Sequence, residues 1–339
     1  MEILDTLYTE ITGFLGISQA LEIIRHGDYS TFTTYDGIVS LIYPIIPLLL
    51  LLELILGFVY KKPQAKVYKI NFLIYLVNRI VGRFIAIAVT TYLIGVLQPI
   101  AFFQANITWY WLIYGYVVWE FGHFLYHYWG HKVRLFWCLH STHHAPEDMN
   151  LSVSHAHFFL EGPYADAIRT TVCLLFGLSP ELLFLIMFID GTYGAFIHVG
   201  ENLLKDGRLG VLNNIILTPS HHRVHHARNP LYMDTNFCNL LNIWDKVFKT
   251  YQDEDRDVPV EYGITREMDS GNFWDVYFGE IVALVKDVIH APGVLNKLKY
   301  IVMPPGWHHE GNHQTAKLVR ETYLDTIKTI QLNKIKPKQ

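Results

Sequence analysis

The sequence predicts an all-α integral membrane protein, with about three spanning helices, a shallow helical hairpin and a cytosolic, helical, histidine-rich cap. Three observations carry this prediction. Of the 339 residues, 51% are hydrophobic and only 17% are charged, whereas soluble domains carry about 25% charged residues. Apolar runs of spanning length recur through the first half of the chain. Histidine is concentrated, with 13 of 18 lying between His123 and His226. A net charge of -4, without a basic patch interleaved with aromatics, argues against a nucleic acid partner. Cys138, Cys173 and Cys238 are odd in number and form no C-x-x-C, so neither a disulfide framework nor a thiolate metal site is indicated.

Residues 1–33 begin with Glu2, Asp5 and Glu10, lack the basic start of a signal peptide, and predict a short interfacial segment. Residues 34–126 predict the transmembrane helices. Ile38 to Tyr60 is long enough for a bilayer core, which takes about 20 residues, and Pro44, Pro47 and Glu53 interrupt it. Lys61, Lys62, Lys66 and Lys69 follow and place that end in the cytoplasm by the positive-inside rule. Residues 70–99 predict a second span, with Arg79 and Arg83 snorkelling near its cytoplasmic end. Residues 107–126 predict a third, aromatic-rich span.

Residues 127–251 predict the catalytic region. Within it, residues 164–198 are apolar but broken at Gly177-Leu178-Ser179-Pro180, which predicts a shallow hairpin that returns His198 to the side it left. Residues 252–339 follow, with Trp274, Tyr277, Phe278, Ile281, Leu284, Val285 and Val288 at helical spacing. That pattern predicts an amphipathic helix, packed on the cap or lying on the bilayer. The tail Lys334-Ile335-Lys336-Pro337-Lys338 reads as a disordered basic end.

Two H-x-x-H-H runs dominate the chemistry: His140, His143, His144 and His222, His225, His226. On a helix, positions i, i+3 and i+4 share a face, so each run is expected to aim three ring nitrogens at one point. His127 and His131 stand one helical turn apart before them, and His198 ends the hairpin. A lone histidine near a membrane interface is more often a hydrogen-bonded structural residue. Two such runs, a further pair and a topology that gathers them on one side instead predict metal binding. The expected ligands are His127, His131, His140, His143, His144, His198, His222, His225 and His226, with His221 evenly placed between ligand and support.

His123, His155 and His157 read as structural or supporting, and His26, His290, His308, His309 and His313 as ordinary surface residues. Nine imidazoles exceed what one ion accepts, so two metals are implied, and an all-nitrogen set suits Fe, Zn or Cu. There is no H-E-x-x-H. Ligand rings need an acceptor for their second N–H. Glu120, Glu147, Asp148, Glu201, Asp234 and Asp245 lie near the runs, with Glu147, Asp148 and Asp234 the strongest candidates. Trp244 reads as core, and Arg223 and Arg228 as surface charge or a contact for phosphate or an acidic donor.

Three stretches resemble the fatty acid hydroxylase superfamily of membrane di-iron enzymes, which includes sterol desaturases and methyl oxidases. They are Glu120 to His131, His140 to Ser152, and Leu217 to Asn229 together with Asn242 to Lys246. The likeness runs over roughly residues 105–251 and is strongest to the alkylglycerol monooxygenase-like branch. It implies two iron ions (zinc in recombinant protein), O2, and hydroxylation of a lipid C–H bond. It also implies a lipid substrate and a reductant that is either a tetrahydropterin or an electron-transfer protein. The membrane would be a bacterial inner membrane or the endoplasmic reticulum. Desaturation at the same site, a zinc-dependent membrane hydrolase and a non-catalytic haem or transport protein remain as other readings.

Overall fold

A computed structural model describes residues 2–14, 17–27, 30, 34–60 and 65–335. Among the described residues the chain is helical without a strand. Lys61 and Lys62 of the basic run, and Lys336 to Lys338 of the tail, lie outside the described residues.

Helices α1 (Glu2–Phe14) and α2 (Ser18–His26) lead in, and α2 ends on Gly27 in the left-handed region. Thr34 then caps α3 (Tyr35–Ile42) by accepting a hydrogen bond from the Gly37 amide, and Pro44 opens α4 (Ile45–Val59). Next come α5 (Ala65–Val77), a π-helical turn Asn78–Gly82, and α6 (Arg83–Leu97). These form one helical run, Ala65–Ile100, of 36 residues. At 1.5 Å per residue it is about 54 Å long, well beyond the roughly 30 Å of a bilayer core. Its first part packs on the cap, through Ile70 and Ile74 against Ala145, Phe158 and Tyr277.

Helices α7 (Trp109–Lys132) and α8 (Arg134–His144) carry the first histidines. The expected hairpin is present as α9 (Glu161–Leu175) and α10 (Pro180–Ile197). Its turn depends on Gly177, at φ +79°, where a Cβ would strike the Phe103 ring and carbonyl. Ala105 pins that turn by donating to the Gly177 carbonyl (2.7 Å) and accepting from Ser179 (3.1 Å). The remaining helices are α11 (Pro219–His225), α12 (Ile243–Phe248), α13 (Phe273–His290), α14 (Gly293–Val302) and α15 (Ala316–Ile335).

Among the described residues, three helices are long and apolar enough to cross a membrane: Asp36–Val59, Ala65–Ile100 and Pro180–Ile197. The number matches the sequence reading, but the third member differs. It is α10, the second arm of the hairpin, rather than the 107–126 segment. Helix α7 carries Glu120, His123, His127 and His131 along its length, which lowers its apolarity, and it sits at the centre of the bundle with Trp119, Glu120 and Phe124 buried. Helix α13 turns Val276, Tyr277 and Leu284 onto α5 and α8 and leaves Trp274, Val285 and Ile289 exposed.

Buried carboxylates tie loops to the bundle. Glu53 of α4 accepts from the Leu151 amide (2.8 Å), the Gly200 amide (2.7 Å) and the Tyr68 hydroxyl (2.9 Å). The residue that interrupts the first apolar run is therefore an anchor for the segments flanking His143 and His198. Glu53→Ala leaves two buried amides without acceptors, each costing about 1–3 kcal/mol. Thermal unfolding in detergent should show a clear fall in midpoint for Glu53→Ala, and an unchanged midpoint would contradict this role.

Candidate metal centre

Nine histidines meet in the interior as two groups. His127, His131, His140, His144 and His225 form one, and His143, His198, His222 and His226 form the other. Within each group the nitrogens available for coordination all lie within 4.8 Å of one another. All nine rings are buried. The groups adjoin, since His144 of the first stacks on His226 of the second with centroids 4.4 Å apart.

Each H-x-x-H-H run is divided, not aimed at a single point. Helix α8 sends His140 and His144 to the five-membered group and His143 to the other, while α11 sends His222 and its C-cap neighbour His226 to the four-membered group and His225 to the other. The helical angle explains the split. At 100° per residue, i and i+4 are about 40° apart, whereas i+3 lies about 60° to the other side of i. The i, i+4 pairs therefore share a centre, with Nε2 atoms 3.1 Å apart in both His140–His144 and His222–His226.

Several features fit a cation in each group. Neighbouring Nε2 atoms face one another at 2.8–3.2 Å. Nitrogens at right angles around an ion at about 2.1 Å would stand about 3 Å apart. The Nε2 atoms of His131 and His225 are buried without a hydrogen-bond partner. Burial first, and then the neighbouring rings, pushes His127, His143, His144, His222 and His226 well below the ordinary histidine range. His225 is lowered in the same way, although its bond to the Thr235 carbonyl opposes this. Burial also lowers His131 to about 4 against the opposing pull of Asp234, and His198 to about 3. Neutral imidazoles keep the lone pair that a metal takes.

In the five-membered group, the outer nitrogens of His127, His131, His140 and His225 are held by a single loop and two carboxylates. His225 Nδ1 meets the Thr235 carbonyl and His127 Nδ1 the Phe237 carbonyl, both at 2.8 Å, and His131 Nδ1 lies 3.4 Å from Asp234. Asp234 also pairs with Lys132. Asp234 and Asn236 adopt left-handed backbone conformations, φ 59° and 57°, which turn this loop sharply around the rings. The amides that follow are gripped from outside. Glu120 accepts from Asn239, Leu240 and Leu241 at 2.6–3.0 Å, and Asp245 accepts from Phe237 and Cys238 at 2.8 Å.

Sequence reasoning missed Glu161, which bonds His140 Nδ1 (2.6 Å) and His157 Nδ1 (2.9 Å). It stands four residues after His157, and that i, i+4 spacing at a helix start is the signal in the sequence that points to it. Burial alone would raise Glu161, but the His157 and His140 rings bring it down to about 2. His157 in turn stacks on the ligand-set residue His143, with centroids 4.3 Å apart and planes at 12°.

Of the proposed carboxylates, Asp234 faces a histidine of the two groups, His131. Glu147 bonds Ser270 at 2.7 Å, and both Glu147 and Asp148 are exposed. His221 stands outside both groups. Its Nδ1 caps α11 through the Thr218 amide (3.1 Å), and its Nε2 meets Tyr251 (2.8 Å) and Asp253 (2.9 Å). Arg223 is buried, donating to the Lys205 and Leu204 carbonyls, so it clamps the loop after His198.

Two cavities reach the histidines. One, of about 460 Å³, runs from Tyr75, Arg79 and Arg83 to His127, His143, His198 and His222 and so touches both groups. Its lining includes His123, Asp166, Arg169 and Asp190, making it more polar than the apolar channel expected for an alkyl chain. The other, of about 900 Å³, opens among the cap helices and reaches His131, His144 and His225 of the five-membered group alone.

Residues 112–250, which carry the histidine runs, match the family model described as fatty acid hydroxylase. Among curated proteins, the chain is 34% identical over 188 residues to the alkylglycerol monooxygenase of Homo sapiens, covering 56% of this chain and 40% of that protein. It is 33% identical to the Xenopus tropicalis alkylglycerol monooxygenase over the same shares. It is also 28% identical over 160 residues to the ornithine lipid hydroxylase OlsE of Rhizobium tropici, covering 47% of each. The matched region thus spans less than half the length of these relatives. No solved structure matches.

Metal content by mass spectrometry should give two ions per chain for the native protein. His225→Ala and His222→Ala should each lose metal, while His221→Ala should keep both ions and instead weaken the start of α11. Glu161→Gln removes the charge that orients His140, and support of this kind is worth roughly 10–100-fold in metal affinity. Chelator competition should show that loss, and native affinity in Glu161→Gln would contradict the role assigned to it.

Proposed function

We propose that this chain is a membrane-bound di-iron oxygenase that hydroxylates an unactivated C–H bond of a lipid. The observation that carries the reading is the pair of adjoining, all-imidazole groups at the inner end of one cavity. The superfamily match and the relatives named as lipid hydroxylases and monooxygenases support it.

His127, His131, His140, His144 and His225 would hold one iron, and His143, His198, His222 and His226 the other. Two ferrous ions, when bound, supply the electrons and open positions that activate O2. The balance is one C–H bond, O2, two electrons and two protons giving C–OH and water. Glu161, Asp234 and the Thr235 and Phe237 carbonyls hold the ligand rings in orientation. Trp137 and Phe237 pack against His131 at 5.2 and 5.1 Å between centroids and hold its ring in place. The 460 Å³ cavity takes the lipid. The 900 Å³ cavity, on the cap side, is the route for the reductant, whether a tetrahydropterin or the edge of an electron-transfer protein. In this reading the cap faces the cytoplasm.

Iron-loaded protein with a lipid extract, a reductant and isotopically heavy O2 should yield a lipid heavier by one labelled oxygen. Loss of two hydrogens without oxygen gain would make the outcome desaturation at the same site. Product formed without O2 by zinc-loaded protein would replace the oxygenase reading with a hydrolase.

A further inference from the structure

The smaller cavity carries a feature that lipid hydroxylation alone does not require. The π-turn Asn78–Gly82 interrupts the Ala65–Ile100 helix where it passes the cavity, and such turns frequently accompany functional sites. The turn is fixed against the cavity rim. Asn78 donates to the His157 carbonyl (2.6 Å), and Gly82 lies so close to the Phe159 carbonyl that a Cβ would come within 2.8 Å of it. Arg79 and Arg83, at the two edges of this turn, both line the cavity.

Their charges are unmatched. Neither forms an ion pair or hydrogen bond with another described residue, while the cavity's other arginine, Arg169, pairs with Asp166 at 2.7 Å and lies over the Trp119 and Tyr126 rings. The acidic groups on the lining are engaged elsewhere. Glu161 serves His140 and His157, and Asp190 faces His123 and Tyr116. The arginines are flanked by exposed Ile80, Val81 and Phe84, and a charged side chain in such an apolar helix is costly unless it has a partner.

We propose that Arg79 and Arg83 bind an anionic oxyacid headgroup, so that the substrate is a lipid carrying a phosphate, held by its head at one end of the cavity while a nearby carbon faces the histidines. This rests on the oxygenase reading for the second half of the statement only. Paired guanidinium groups suit phosphate through charge-assisted, forked hydrogen bonds. Each such bond is worth roughly a tenfold change in affinity or more.

The test uses the full chain in nanodiscs of zwitterionic lipid and a matched pair of probes, a long-chain 1-O-alkylglycerol and the same molecule phosphorylated at its glycerol end. Binding is measured without reductant, and kcat/KM with it. Native protein should prefer the phosphorylated lipid by about tenfold or more. Arg79→Gln and Arg83→Gln should each erode that preference with the neutral lipid unchanged, Arg79→Lys and Arg83→Lys should keep much of it, and Arg256→Gln, a distant exposed charge, should leave it intact. Equal handling of both lipids by native protein and the double Gln variant overturns the headgroup site and leaves the oxygenase standing. Retained, arginine-dependent preference in binding without oxidation of either lipid overturns the oxygenase and leaves the headgroup site standing. Displacement by inorganic phosphate as effective as by the phosphorylated lipid assigns the arginines to free phosphate and overturns the lipid assignment. Equal loss for the neutral and phosphorylated lipids, with a lowered thermal midpoint, assigns them to fixing the helix at the bilayer headgroups and overturns it as well.

Discussion

A neutral imidazole has one N–H and one lone pair, and rings such as His127 and His225, whose Nδ1–H is directed to an outer carbonyl, turn only a lone pair to the centre. Two facing Nε2 atoms satisfy each other through one hydrogen bond, but four or five converging nitrogens do not. A buried polar atom without a partner costs free energy comparable to a lost hydrogen bond. The arrangement is thus tenable when positive charge stands between the rings, and the surrounding structure holds the rings there against mutual repulsion. Glu53 pins the segments beside His143 and His198, Glu120 and Asp245 grip the loop that receives His127 and His225, and Arg223 clamps the return from α10. None of these groups touches the centre, yet each fixes backbone that does.

The two groups are supported unequally. In the five-membered group, His131 and His140 face carboxylates while His127 and His225 face carbonyls. In the four-membered group, His198 bonds the Gly194 carbonyl, but the outer nitrogens of His143 and His222 are buried without partners. Carboxylate support makes an imidazole a stronger donor. The five-membered group is therefore the more electron-rich of the two, and the four-membered group has fewer histidines and a larger share of the 460 Å³ cavity, through His143, His198 and His222.

Much of this was legible in the sequence because it depends on local spacing. Eight of the nine histidines of the centre follow from the H-x-x-x-H and H-x-x-H-H patterns, and the ninth, His198, follows from the hairpin that the Gly177 to Pro180 break predicts. What escaped depends on contacts between distant segments. The allocation of His143 and His225 across the two groups needs the relative placement of α8 and α11. His221 has the right neighbours in sequence, but the cap of α11 claims its Nδ1. Glu53 and Glu120 read as blemishes or loose candidates because their partners are backbone amides some hundred residues away, which no side-chain pattern reports. Carbonyl acceptors such as Thr235 and Phe237 leave no trace in residue identity, though Asp234 beside them does. Helix α7, expected from its aromatics to be a span, is central and polar along one side.

The divided histidine runs have a mechanical consequence. Since α8 and α11 each serve both groups, neither helix can slide or rotate to suit one ion without dragging ligands of the other. The groups consist of histidine alone, so the spacing between them is set by the rise and twist of two short rods. A spacing defined in this way is stiff, because a change in one group is felt at once in the other.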